Sequence, residues 1–269
     1  MFSLLLPFES SRLLLTYECV FLVLEAEFKA EGKQVTTFVV DLTNRVAIET
    51  AAKETLAKHG RLDILVNNAG IVSGKPFIEC SPEMIERTMD VNINAHFWTC
   101  RSFLPGMIAR KHGHVVTIAS MAGQTGVPLL ADYVASKFAA VGFDESLRVE
   151  MKKFKTNVKT TCVCPYYIST GMFHGVKSRF SFLFPILTPD YVASQIIQAV
   201  KRNDEALFLP WAMNLLPIAR LFPIPVQDWI AEQLGVHHSM DEFTGRPAAA
   251  AASAVAAQKQ MVSESKKDK

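Results

Sequence analysis

The chain carries little net charge, few early glycines and no long uninterrupted apolar run. Its 28 Lys and Arg stand against 26 Asp and Glu, a formal charge of +2 over 269 residues. With no basic stripe interleaved with aromatics, that balance argues against a nucleic-acid partner. The five cysteines, Cys19, Cys80, Cys100, Cys162 and Cys164, are odd in number and lack metal-ligand spacing, which fits a reducing compartment rather than a disulfide scaffold. The seven histidines are scattered, so no metal site is expected. Leu13–Leu24 is apolar but only twelve residues long, short of the roughly 20 that span hydrocarbon, and Glu9 and Arg12 interrupt its extension. No basic segment precedes it, as a cleaved signal peptide would require. A second apolar region, Ala206–Val226, is broken by Pro210, Pro217, Pro223 and Pro225, which argues against a plain transmembrane helix. Gly32 is the one glycine before Gly60, so this stretch holds no glycine-rich turn through which a backbone could approach a phosphate.

What is present reads as one α/β unit. The length suits a single domain, and 49% hydrophobic residues suffice for a substantial core. Strands are expected near Val35–Val40, Ile64–Val66, His114–Ile118 and Val158–Val163. Helices are expected near Arg45–Lys58, Pro82–Arg110, Asp132–Lys155 and Pro189–Arg202. Ser81-Pro82 and Thr188-Pro189 each supply a capping hydroxyl followed by proline at the first helical position. Strands alternating with helices predict a parallel, doubly wound, Rossmann-like sheet. Cys162 and Cys164 alternate with Val163 in an expected strand and read as core.

The most informative constellation is Ser120, Tyr133 and Lys137. Thr117-Ile118-Ala119-Ser120 is an apolar β-like run ending in a hydroxyl, and Tyr133-Val134-Ala135-Ser136-Lys137 opens a helical pattern. Residues four apart share a helix face. A cation held beside a phenol favours the phenolate and lowers its pKa from about 10, making it a usable acid or base. A Tyr-x-x-x-Lys pair alone is also what a surface helix produces by chance. Here it has company: Leu62-Asp63-Ile64-Leu65-Val66-Asn67-Asn68-Ala69-Gly70 is a buried strand running into a small-residue turn, and Asp90-Val91-Asn92 falls in a helix between that turn and Ser120.

In order and spacing, these four motifs resemble the short-chain dehydrogenase/reductase family, over roughly Gly32 to Arg246. The resemblance implies Tyr133 as general acid/base, Lys137 lowering its pKa and holding the nicotinamide ribose, and Ser120 orienting the substrate. Asn92 would fix a water in the proton relay. Asn68, Ala69 and Gly70 would line the cleft of an NAD or NADP cofactor. Asp41, in Val39-Val40-Asp41-Leu42, matches the acid that contacts adenine, with Leu42 beside it; Asp41 reads equally as a cap for the helix that follows. Pro165, Ile168 and Thr170 match the loop over the nicotinamide, although Tyr166 stands where many relatives have glycine.

The N-terminus departs from the family, whose members open with a strand and a Thr-Gly-x-x-x-Gly-x-Gly turn that receives the pyrophosphate. If three charge-assisted hydrogen bonds of about 1.5–3 kcal/mol each are missing, binding weakens by about 4–9 kcal/mol, roughly three to six decades. Leu13–Leu24 has the β-branched and aromatic character of a surrogate strand that restores the sheet without the phosphate site. Glu25 reads either as an acid for the ribose hydroxyls or, more simply, as a surface carboxylate, leaving NAD versus NADP open. Two function classes therefore stand: an oxidoreductase, or a noncatalytic lipid-surface or interaction protein that retains the fold.

His96-Phe97-Trp98-Thr99, Ser136–Phe143, Thr170-Gly171-Met172-Phe173 and His238-Ser239-Met240-Asp241 resemble the microsomal branch of that family, which acts on retinoid, steroid and other lipid-like alcohols and carbonyls. The branch implies a small hydrophobic substrate, a homodimer, and an endoplasmic reticulum membrane surface or lipid droplet on the cytosolic face, with the cytoplasm as the alternative. Ala206–Val226 reads either as packing over the core and cleft or, with Phe180-Ser181-Phe182-Leu183-Phe184, as an apolar lid that meets lipid. The terminal Lys266-Lys267-Asp268-Lys269 reads as a solvated charge run or as a dilysine retrieval signal. The expected organisation is an atypical apolar segment at 1–31, the dehydrogenase domain at 32–246, and an Ala-rich then charged tail at 247–269, without fixed structure.

Overall fold

A computed structural model describes residues 36–245 of the chain. The readings of Leu13–Leu24, Glu25 and the 247–269 tail lie outside the described residues.

Four strands form one parallel sheet: β1 (Ile64–Asn67), β2 (Gly113–Ile118), β3 (Val158–Pro165) and β4 (Ala206–Leu209), hydrogen-bonded in that order. Each is joined to the next through helices. The helices are α1 (Arg45–His59), α2 (Pro82–Met89), α3 (Ala95–Arg110), α4 (Ala131–Lys153), α5 (Pro189–Arg202), α6 (Leu216–Ala219) and α7 (Ile224–Gln233). Helix α5 packs on one face of the sheet through Val192, Ile196 and Val200 against Ile64, Val66, Val116 and Val163. Helices α3 and α4 cover the other, where Phe103, Met107, Leu147 and Met151 meet Leu65, Val115 and Val158. The near-continuous apolar strands follow from burial on both faces.

The helix starts are set locally. Ser81 Oγ accepts from Met84 N at 3.3 Å and Thr188 Oγ1 from Tyr191 N at 3.4 Å, each with proline at the first helical position, as the sequence predicts. The expected helix Pro82–Arg110 is interrupted by a π-helical turn at Asp90–Asn94 between α2 and α3. The expected strand Val35–Val40 is not one: Thr36–Val40 runs without ladder pairing. A strand exists by virtue of a neighbour, and among the described residues β1 pairs with β2 alone, leaving nothing on its outer side for this segment to join. Val40 and Leu42 instead bury against Ile48, Ala51, Ala69, Val91 and Ala95.

In a parallel sheet every strand ends at the same edge, so the loops after β1, β2, β3 and β4 converge there. Ligands bind at that edge in open α/β folds.

Candidate active site

Strand β2 stops at Ile118, and Ser120 turns the chain into a short 3-10 turn at Met121–Gly123, its Oγ accepting from Ala122 N at 3.1 Å. That turn lies hard against α4. A Cβ on Gly123 would stand 2.7 Å from the Lys137 carbonyl oxygen, so the approach requires glycine. Helix α4 then presents Tyr133, Ser136 and Lys137, all buried.

Lys137 Nζ donates to Ile118 O at 2.8 Å, tying α4 to the end of β2, and stands 5.7 Å from the centroid of the Tyr133 ring. Burial brings the ammonium down to about 8, with Cys164 and then Cys162 opposing. The phenol does not follow the sequence expectation. Burial pushes Tyr133 up to about 12, offset in part by the Ser120 hydroxyl beside it. The reason is that the cation faces the ring rather than sitting on the oxygen, while both groups are desolvated in an apolar wall that includes Phe173, edge-on to Tyr133 at 5.7 Å.

Asn92 sits in the π-helical turn, fully buried. Its Oδ1 accepts from Ile71 N at 2.8 Å, and its Nδ2 donates to Ile71 O at 3.0 Å and Ser136 Oγ at 2.9 Å. Both amide hydrogens are thus committed to protein. The side chain clamps the loop after β1 to α4, and π-turns of this kind are frequent at functional sites. A second clamp was not legible in the sequence: Ser73 Oγ donates to Asp132 Oδ1 at 2.6 Å, holding the same loop to the residue before Tyr133. Ser136, lying between Tyr133 and Lys137, was in view only as part of the motif.

These groups meet at a cavity of about 710 Å³ whose wall includes Asn68, Gly70, Ser120, Tyr133, Lys137, Pro165, Ile168 and Thr170. Pro165 ends β3, and Ile168 bridges Leu187 in the loop beyond it. Ala69, Asp41 and Leu42 are not in the wall. Ala69 and Leu42 are core. Asp41 is exposed, its Oδ1 accepting from Thr43 N at 3.0 Å and Thr43 Oγ1 at 2.8 Å; the cap of α1 is Asn44, whose Oδ1 accepts from Ala47 N. The rest of the wall is apolar, drawn from the loop after β3 (Met172, Phe173, Leu183, Phe184), the segment after β4 (Trp211, Met213, Leu216) and α7 (Ile230, Leu234). Lys137 and Arg220 are the charged side chains in it, and no carboxylate lines it.

The residues fit a nicotinamide nucleoside. Lys137 spends one of its three N–H donors on Ile118, and a Cβ on Gly70 would touch both Lys137 Nζ (3.7 Å) and Asn92 Oδ1 (3.6 Å), so glycine keeps open the space in front of the ammonium. No group of three or more His, Cys, Asp or Glu among the described residues is placed to hold a metal.

A parallel α/β sheet with a buried hydroxyl, phenol and ammonium at its carboxyl edge defines the class of dinucleotide-dependent oxidoreductases. The short chain dehydrogenase family model matches residues 22–179, and the chain belongs to that family. It is 42% identical over 218 residues to human epidermal retinol dehydrogenase 2, covering 80% of this chain and 70% of that one. It is 41% identical over 200 residues to human estradiol 17-beta-dehydrogenase 11, covering 74% and 66%. A short-chain dehydrogenase from Streptomyces avermitilis shares the fold, with TM-score 0.66 at 22% identity over 82% of this chain and 86% of that one. A metagenomic short-chain oxidoreductase crystallised with NADP superposes with TM-score 0.59 at 29% identity, covering 73% and 82%. The protein is accordingly an NAD(P)-dependent oxidoreductase acting on CH–OH groups.

Proposed function

We propose that the protein interconverts a retinoid-, steroid- or long-chain-type alcohol and its carbonyl, at the endoplasmic reticulum surface or a lipid droplet. The observation that carries the reading is the apolar cavity with Tyr133 and Ser120 in its wall and no carboxylate beside them. A hydrophobic alcohol pays little desolvation there, and its oxygen meets the two hydroxyls as its sole neutral polar partners near Lys137. The relatives named for retinol and estradiol point to the same substrate chemistry. The location rests on the microsomal resemblance. Among the described residues no helix is long and apolar enough to cross a membrane, so it requires a surface association or a segment outside them.

The nicotinamide supplies or accepts the hydride when bound. In reduction, Ser120 holds the carbonyl oxygen and Tyr133 gives it a proton; the phenol, pushed up to about 12, carries that proton throughout the neutral range. Oxidation runs both steps in reverse. Lys137, at about 8, stays mostly charged at neutral pH and holds the ribose hydroxyls. Asn92 positions, keeping Ser136 and the loop after β1 in place. Gly70 and Asn68 leave room on one side, while Pro165, Ile168 and Thr170 close the other.

Retinol and estradiol turnover with NAD and NADP tests this. Tyr133→Phe, with its circular dichroism and melting unchanged, is expected to lower kcat by about 10²-fold or more. Turnover equal to wild type would refute the assignment.

A further inference from the structure

The cavity opens through a surface that has no reason to face water. Trp211, Leu215, Ile218 and Phe222 belong to the cavity wall and are at the same time exposed, Trp211 by 75%, so they form its rim. Helix α7 is apolar on two sides. Gln227, Ile230, Ala231 and Leu234 turn inward at the i, i+3, i+4, i+7 spacing of a single face and line the cavity, whereas Ile224 and Trp229 point outward, 71% and 63% exposed. Leu221, at 83%, joins the rim to that outer side. Contiguous exposed apolar surface of this kind marks a site of association.

The charge pattern selects the occupant. Between Trp211 and Val226 the sequence holds one charged residue, Arg220. It is exposed at the rim, its guanidinium 5.1 Å from the centroid of Phe138, and no carboxylate among the described residues pairs with it. A long stem laid on apolar surface with a free planar cation is what phosphate at an interface binds. A protein partner seated on this surface would stopper the cavity. A bilayer leaves it open to whatever is dissolved in the acyl layer.

We propose that the rim and the outer side of α7 dock on an anionic phospholipid bilayer, with Arg220 on headgroup phosphate, so that the substrate enters the cavity from the membrane without crossing water. This rests on the lipid-alcohol reading above and adds to it the face that docks, the lipid that receives it and the route of entry.

The full chain is sedimented with phosphatidylcholine vesicles and with vesicles containing phosphatidylserine. Retinol turnover is followed with retinol supplied in the vesicles or on serum albumin. Leu221→Asp/Trp229→Asp lies outside the cavity wall on exposed positions. Wild type is expected to prefer the anionic vesicles, the double variant to bind them at least about tenfold more weakly, and Arg220→Gln to lose the preference for serine headgroups. Turnover should fall in the double variant for vesicle-borne retinol and not for albumin-borne retinol. Vesicle binding equal to wild type in the double variant would place the attachment elsewhere and overturn the proposal. So would a wild-type oligomer that the double variant dissociates, which would assign the face to a second copy. If no protein turns over retinol from either source while vesicle binding still depends on Leu221 and Trp229, the substrate reading fails and the docking face stands.

Discussion

Residue by residue, the interior is more polar than a sheet-and-helix core requires. Asn67, Thr117 and Cys162 are in register across β1, β2 and β3 on the face covered by α3 and α4, and Thr160 lies one row behind. Over them sit His96 and Asp144, both almost fully buried. The two ring nitrogens of His96, Asp144 Oδ1 and the hydroxyls of Thr117 and Thr160 have no hydrogen-bond partner within the geometric limits. Burial drives His96 down to about 3, with the Lys137 ammonium adding to it, and lifts Asp144 to about 6, against the nearby Thr117 and Thr160 hydroxyls and then Arg148.

The two groups act on stability with opposite sign. His96 is neutral in the fold, so its contribution is present above pH 6.5 and lost as pH falls from there towards 3. Asp144 holds its proton more tightly folded than unfolded, so its contribution is present below about 3.8 and lost as pH rises through about 6. Asp144→Asn should therefore stabilise the protein at pH 7 by up to about 3 kcal/mol. It should also steepen the loss of stability between pH 6 and 4, because the compensating slope is gone. Urea melts at several pH values measure both; a variant less stable than wild type at pH 7 would contradict the burial argument.

The same scale shows what the sequence could tell. Tyr133, Lys137 and Ser120 were legible because their chemistry depends on spacing along one helix and one strand end. The direction of the Tyr133 shift was not, because it depends on how much apolar side chain surrounds the oxygen, and Phe173 comes from a loop forty residues away.

At the level of elements, local signals were the reliable ones. The Ser-Pro and Thr-Pro helix starts formed as read, since a cap needs only its own four residues. The π-helical turn was invisible, for its fifth hydrogen-bonded residue is accommodated by Asn92 reaching across to Ile71 and Ser136. Strand β4 was hidden inside the apolar stretch Ala206–Val226, where alternation is absent and pairing with β3 alone decides. Val35–Val40 failed for the converse reason, as strand character without a neighbour.

The turn between β2 and α4 offers a test at this scale. Gly123→Ala would bring a methyl group onto the Lys137 backbone, which cannot move without displacing Ile118 and Tyr133 with it. A loss of about 1–3 kcal/mol together with a fall in kcat is expected. Unchanged melting and turnover would mean that the turn and α4 are not packed as described.

For the molecule as a whole, the described residues supply the nicotinamide and ribose end of the cofactor site, while phosphate contacts fall to a part of the chain that carries no glycine-rich turn. Hydrogen-bond arithmetic then predicts NADH and NADPH dissociation constants weakened towards the millimolar range rather than the micromolar one. Titration by nicotinamide fluorescence measures this. Micromolar binding would mean that another segment provides the anion site.

The order of the cavity wall along the chain also has an evolutionary meaning. Every group assigned to proton handling lies between Asn92 and Lys137, whereas nearly all of the apolar wall follows Pro165. Substrate range and chemistry are therefore written in consecutive, separable stretches of the gene. Exchange of the later stretch between relatives would retarget the enzyme while leaving its proton transfer intact, a modularity that a site assembled from interleaved segments would not permit.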